Sequence, residues 1–154
     1  MHQTQVSSDS IERTLQYLQE AGRRGTECVV LWFGRQGGAV VHVQQVYRPI
    51  QMAWTDMFRI PPDSMKAVLS ELNSKRMMIA AQVHSHPFEA FHSKADDTWA
   101  IVRHAGALSL VVPDFAIKTS SVNFMDDAKL FRLTPENRWR EVPNGEIEQW
   151  LVIC

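Results

Sequence analysis

Apolar residues follow two different periods in the first third of the chain. In SSDSIERTLQYLQEAGRRG, Ile11, Leu15 and Leu18 fall four and three residues apart, which is the repeat of one helix face. A capping Ser or Asp precedes them, basic residues come late, and Gly25 stops the run, so an amphipathic helix is predicted. The period then changes. Residues 27–34 (ECVVLWFG) and 39–47 (AVVHVQQVY) are rich in β-branched and aromatic residues and flank RQGG, whose glycines predict a turn and hence a hairpin. Residues 48–62 are irregular, punctuated by Pro49, Pro61 and Pro62, with only residues 57–60 suited to pair as a short strand. Pro62-Asp63-Ser64 opens a second helix that carries Met65, Val68, Leu69 and Leu72 on one side.

Further along, residues 77–84 (MMIAAQVH) predict a buried strand, and residues 108–112 (LSLVV), ended by Pro113, predict another. Between them a third helix is expected from Ser93 through Trp99, Ile101 and Val102. Residues 129–133 and 139–142 predict a closing hairpin around Pro135-Glu136-Asn137, and residues 147–153 a short terminal helix. Helices interleaved with strands predict an α/β sandwich, with helices covering a central sheet. Repeats and low-complexity segments are absent from the 154 residues, a length suited to one domain spanning 1–154.

Composition narrows the function classes. A hydrophobic content of 45%, a charged content of 21% and a formal net charge of −1 describe an ordinary soluble protein. Nucleic acid is not expected as a partner, because phosphate binding needs a concentrated excess of Lys and Arg. Cys28 and Cys154 lie far apart, neither in a CxxC pair, which argues for a reducing compartment and against a cysteine-built zinc site. No apolar run approaches the ~18 residues that span a membrane, and MHQTQVSSDS lacks a basic-then-apolar leader. A cytoplasmic protein with no membrane partner is expected.

Candidate chemistry concentrates in VHSHPFEAFHSKADD, which holds three of the six histidines. Side chains alternate faces along a strand, so His84 and His86 share one face while Ser85 points away. By itself a His-x-His pair is weak. The following Ser93-x-x-Asp96 falls at a predicted helix start, where Ser with an acidic residue three positions on also serves as a plain capping arrangement. It is equally a place to hold a third ligand, and two imidazoles with one carboxylate leave zinc an open position for water. Glu27, at the start of the first strand of the hairpin, is a candidate base for that water if its strand neighbours the one ending in His84; otherwise it is an exposed strand-edge glutamate.

Together these residues resemble the JAMM metalloproteases of the MPN fold. That family's pattern is a Glu on an early strand followed by a small residue or Cys and an aliphatic run ending in Gly, then His-Ser/Thr-His-Pro, then Ser-x-x-Asp. Glu27 with Cys28 and Gly34, His84-Ser85-His86-Pro87, and Ser93-Lys94-Ala95-Asp96 match it in order. One spacing differs. The family places seven residues between the second His and the Ser, and this chain has six, Pro87 to His92, so the usual count would put Asp97 at the aspartate position. Asp96 is preferred because one helical turn fixes its spacing from Ser93, whereas a loop loses a residue cheaply; Asp97 remains the competitor.

The resemblance implies a mixed sheet flanked by helices, with zinc held by His84, His86 and Asp96, Glu27 as general base and Ser93 as oxyanion donor. It implies a zinc isopeptidase or peptidase acting after the C-terminus of a ubiquitin-like protein. AFHSKADD looks like bacterial members found beside ubiquitin-like conjugation enzymes in antiphage operons, so those enzymes are further expected partners. Residues 48–60, with Trp54, Phe58 and Arg59, are where a substrate tail would dock, although residues such as Trp54 and Phe58 more often fill core. The alternatives are a non-catalytic MPN scaffold that binds partner proteins, and a hydrolase of sulfur-carrier adducts. Elsewhere, His92 is expected to be a loop residue or to sit behind the ligands, His42 and His104 to be plain strand and helix-end residues, Asp56, Asp126 and Asp127 to be solvated, and Met77 and Met78 to fill core.

Overall fold

The computed structural model describes residues 2–154, apart from the side chains of Thr98 and Trp99. Its strands are β1 (Gln3–Val6), β2 (Val29–Gly37), β3 (Val40–Tyr47), β4 (Met52–Ala53), β5 (Phe58–Arg59), β6 (Met78–Ser85), β7 (Leu108–Val112), β8 (Lys129–Leu133), β9 (Trp139–Glu141) and β10 (Leu151–Ile153). Four α-helices accompany them: α1 (Ser8–Arg23), α2 (Pro62–Lys75), α3 (Lys94–Trp99) and α4 (Phe124–Asp127). Eight strands form one mixed, curled sheet in the order β10-β1-β3-β2-β6-β7-β8-β9, and β4 pairs with β5 alone. Pairings are parallel for β1 with β10, β1 with β3 and β6 with β7, and antiparallel elsewhere.

The apolar run of β2 follows from its position inside the sheet. Val30 and Trp32 join the core cluster with Ile11, Leu15 and Leu18 of α1, whereas Leu31 and Phe33 join Val68 and Leu72 of α2. A strand covered on both faces needs apolar residues at both parities, so VVLWF is continuous rather than alternating. The predicted α1 face is the buried one, and Ser7 caps the helix by accepting the Ser10 N–H. Thr14 is buried within that face because its Oγ1 accepts from Trp32 Nε1 at 2.9 Å and donates to the Ser10 carbonyl.

Four expectations need correction. Residues 147–153 do not form a terminal helix: a 3-10 turn over Asn144–Gln149 leads into β10, whose Leu-Val-Ile pairs in register with Thr4, Gln5 and Val6. Parallel pairing with β1 satisfies that backbone better than a helix of this length could. The third helix stops at Trp99, because the N–H groups of Ile101 and Val102 donate to the side-chain oxygen of Gln82 instead of to helical carbonyls. The Trp99 side chain lies outside the described residues. Within residues 48–62, two short strands form instead of one, and Leu69 of α2 is exposed rather than packed.

The C-terminal end of α1 packs on the turn that follows β7. Gly22, in the last turn of α1, abuts residues 114–116, and a methyl group there would lie 2.5 Å from Phe115 Cβ and 3.0 Å from the Phe115 carbonyl oxygen. Helix propensity favours alanine over glycine by about 1 kcal/mol, but overpacking costs about 1–3 kcal/mol. Gly22→Ala should therefore lower stability by up to about 2 kcal/mol net, read as a lower denaturant midpoint; a raised midpoint would contradict this packing.

Candidate functional site

β6 lies between β2 and β7, with His84 opposite Val29 on one side and Val111 on the other. Ser85 projects away from the histidines, and its Oγ accepts the Cys28 N–H at 3.0 Å while its own N–H donates to the Cys28 carbonyl at 3.1 Å. His86 lies one residue past β6, yet its backbone is fixed from both sides: its N–H donates to the Val112 carbonyl and its carbonyl accepts the Phe115 N–H. Phe115 belongs to a turn in which Asp114, Phe115 and Ala116 all have φ between 52° and 63°, the left-handed region that side chains avoid. α1 braces this turn, since Gln19 Nε2 donates to the Ala116 carbonyl at 2.9 Å.

Asp96 arrives from α3. Ser93 caps that helix by accepting the Asp96 N–H at 3.0 Å, and Asp96 Oδ2 accepts the Ser93 N–H at 2.8 Å, a reciprocal capping box. The same Oδ2 lies 3.0 Å from His86 Nε2 and 3.1 Å from His84 Nε2. Exposure is 0% for His84, 3% for His86 and 6% for Asp96. Burial pushes the Asp96 carboxyl up, but the imidazoles of His84 and His86 and the Ser93 N–H outweigh it and hold it well below the ordinary carboxylate range.

One ligand atom from each of His84, His86 and Asp96 lies within 4.8 Å of the others, close enough to share an ion. The decisive detail is alignment. His84 Nε2, although near Asp96, is not aimed to hydrogen-bond it, and among the described residues neither nitrogen of this buried ring has a partner. Two nitrogens and one carboxylate oxygen, one of them an orphaned buried acceptor or donor, fit a metal ion better than they fit a closed hydrogen-bond network. Asp97 turns elsewhere: its carboxylate is 52% exposed and sits 2.5 Å from His92 Nδ1.

Glu27 lies two residues before β2, buried beneath the same site. Its Oε2 is 3.9 Å from His86 Nε2, and its buried Oε1 has no partner among the described residues. Its N–H donates to the Trp54 carbonyl at 2.8 Å. Past the end of the β3 ladder, the Gln51 side chain takes over the strand's role by accepting the Val29 N–H at 2.8 Å and donating to the Val29 carbonyl at 3.0 Å. Burial first, then the charges of Asp96 and Asp56, push the Glu27 carboxyl up to about 9.

The flanks divide. Phe58 is buried with its ring 5.2 Å from that of His84, whereas Trp54 is exposed with Ile50 and Met52. Exposed Phe91 stands edge-on to His86 at 4.7 Å, near exposed Phe88. Asp127 is not simply solvated, because it accepts from Thr119 Oγ1. His92 sits behind the ligands, its ring 6.0 Å from His84, and burial lowers its pKa despite the neighbouring Asp97. Gln51, Gln82 and Ser109 were not singled out in the sequence. For Gln82 and Ser109 the available signal is a polar residue in the middle of a buried strand, which must find a hydrogen-bond partner.

No family model matches the chain. The solution structure of protein DSY2949 from Desulfitobacterium hafniense is similar with a TM-score of 0.68 over 98% of this chain and 92% of that one; at 17% identity this likeness concerns the fold alone. A Sinorhizobium fredii protein named "Probable metalloprotease y4jG" is 30% identical over 149 residues, 94% of this chain and 90% of that protein. With a buried His-His-Asp cluster suited to a metal ion and a relative aligned almost end to end, the chain belongs to the family of that probable metalloprotease.

Proposed function

We propose that the chain is a zinc-dependent peptidase or isopeptidase of the JAMM type, built on the MPN fold, that cuts the bond after the C-terminal tail of a ubiquitin-like protein. The observation that carries the catalytic part is the buried Glu27 carboxyl, 3.9 Å from His86 Nε2 and with one oxygen unpartnered. A structural ion would need a fourth protein ligand; a carboxyl set just beyond three ligands instead suits an open position with a base beside it. A non-catalytic scaffold has no need of that buried acid.

His84, His86 and Asp96 would hold the zinc, which when bound supplies Lewis acidity and positive charge. Glu27 keeps a proton in the metal-free pocket, and a nearby divalent cation reverses that preference, so the carboxylate becomes a proton acceptor. It takes the proton of the attacking water and returns it to the leaving amine. Ser93 uses its oxygen as acceptor in the α3 cap, which leaves its O–H to donate to the oxyanion.

The substrate reading rests on the flanks. Trp54 and Phe91 are exposed, one bonded through its backbone to Glu27 and the other packed on His86. The two-stranded β4–β5 sheet beside them suits the addition of an extended tail through backbone hydrogen bonds, with apolar pockets selecting its side chains. The bacterial setting beside conjugation enzymes and an antiphage role belong to the same proposal and rest on the likeness of AFHSKADD; a cytoplasmic site of action belongs to it too, and is supported by two cysteines left unpaired.

Zinc content and cleavage of ubiquitin-like fusions test this reading together. Glu27→Gln should retain metal and lose cleavage by at least about a hundredfold, while His84→Ala should lose the metal itself; full activity in Glu27→Gln removes the base, and unchanged metal in His84→Ala removes the ligand. Chelation should silence the wild type.

A second prediction concerns pH in the chelator-stripped protein. A raised carboxyl pKa stabilises the fold fully below its ordinary value of 4.5, and that contribution is lost as pH rises toward about 9. Glu27→Gln cannot ionise, so its melting temperature should climb relative to the wild type between about pH 5 and about pH 9. Parallel curves would show that Glu27 does not hold its proton there.

A further inference from the structure

A chain of hydrogen bonds links the middle of the sheet to the segment that carries Asp96. Gln82 and Ser109 are register partners on β6 and β7, both fully buried. Gln82 Oε1 accepts the N–H groups of Ile101 and Val102 at 2.9 and 3.3 Å, which fixes the amide's orientation. Its Nε2 therefore donates to Ser109 Oγ at 3.1 Å. Ser109 Oγ lies 3.1 Å from His92 Nε2, and His92 Nδ1 lies 2.5 Å from Asp97 Oδ1. Because an ionised carboxylate only accepts, Nδ1 carries the hydrogen, and Nε2 accepts the Ser109 hydroxyl. Every bond then points one way: from Gln82 to Ser109, to His92, to Asp97.

The order Ser109, His92, Asp97 has the layout of a nucleophilic triad, but Ser109 has no exposed surface and no substrate could reach it. Its meaning lies in what the chain grips. His92 stands just before the Ser93 cap of α3, and Ile101 and Val102 follow the helix end. The His92 ring is itself fixed against Phe131 at 5.1 Å and Trp139 at 4.9 Å. The Arg103 guanidinium adds a bond to the Asp97 carbonyl. α3 has six residues, too few to hold its place through helical bonds alone. Two adjacent central strands thus clasp the segment 92–102 at both ends, with Asp96 between the two grips.

We propose that Gln82, Ser109 and His92 are positioning residues that hold α3 where the Asp96 carboxylate meets His84 and His86. This rests on the metal-centre reading above. None of the three touches the ion. Loss of any one of them shifts Asp96 and weakens the ion's hold, by the roughly 10- to 100-fold that supporting partners of metal ligands typically contribute.

Co²⁺ titrated into chelator-stripped protein is the probe, read by its visible absorption, which reports coordination geometry. His92→Phe keeps a ring between Phe131 and Trp139, and Ser109→Ala removes one hydroxyl. Both should bind Co²⁺ about tenfold or more weakly and show an altered band at saturation. Val68→Ala, on the buried face of α2, should lower the melting temperature and leave affinity and band unchanged. Gln82→Met extends the series; should it fail to fold, the smaller Ser109→Ala change decides. If His92→Phe and Ser109→Ala match the wild type in both affinity and spectrum, the positioning role is wrong while the metal centre stands. If the wild type itself binds no Co²⁺, the metal centre falls, and this inference with it.

Discussion

A single buried oxygen organises the site. Asp96 Oδ2 accepts the Ser93 N–H at 2.8 Å and lies 3.0 and 3.1 Å from the Nε2 atoms of His86 and His84. A carboxylate stripped of water is costly unless its lone pairs are met, and here the oxygen accepts from the Ser93 N–H of the helix cap and pairs with His86 Nε2, with His84 Nε2 close by. The start of α3 and the ligand cluster therefore cannot be adjusted independently: sliding the helix by one residue would break the capping box and empty the cluster together. A plain capping box would need none of the rest. It explains the Ser93–Asp96 pair but not the unpartnered His84 nitrogens or the Glu27 oxygen beneath them.

Sheet topology brings these pieces to one edge. Antiparallel pairing of β2 with β6 sets Val29 opposite His84 and so delivers Glu27 from just before β2 to the point where β6 ends. Parallel pairing of β6 with β7 makes both strands finish at that same edge, where open sheets commonly present their ligand sites. The chain leaving β7 turns at once through Asp114–Ala116 and gives the Phe115 N–H to the His86 carbonyl. α1, packed against that turn through Gly22 and Gln19, thereby supports His86 through the turn.

How much of this could be read from the sequence depended on whether the cause was local. β7 and β8 were legible to the residue, because short apolar runs bounded by Pro113 and by polar turns carry their own boundaries. The shared face of His84 and His86 follows from strand periodicity alone. Spacing within one helical turn puts Asp96, not Asp97, opposite Ser93, and Asp96 is the residue found beside the two imidazoles. By contrast, β1 and β10 are four and three residues long, and β10 exists through β1, which itself leans on β3, pairings that no window of sequence contains. Asp-Phe-Ala gives no hint of three left-handed residues. The early end of α3 is likewise set from a distance, by a glutamine side chain on β6.

Local rules are broken most densely around this edge, and that density is informative apart from any family likeness. Among the described residues, buried atoms without partners also occur at Thr4, Arg132 and Trp139, so an orphan alone marks nothing. Around His84, however, orphaned nitrogens coincide with a carboxyl pushed up to about 9, another held far below its ordinary range and a left-handed turn of non-glycine residues. The orphaned nitrogens, the raised carboxyl and the left-handed turn are each unfavourable, and strain of this kind persists where the surrounding fold over-determines it and function benefits. A cation at the centre would relieve several at once: it gives His84 Nε2 a partner, offsets the burial and the neighbouring carboxylate charge that keep Glu27 protonated, and favours the ionised Asp96. The features that make the metal-free pocket costly are thus the ones a metal would use, which ties the fold's local inconsistencies to its chemistry.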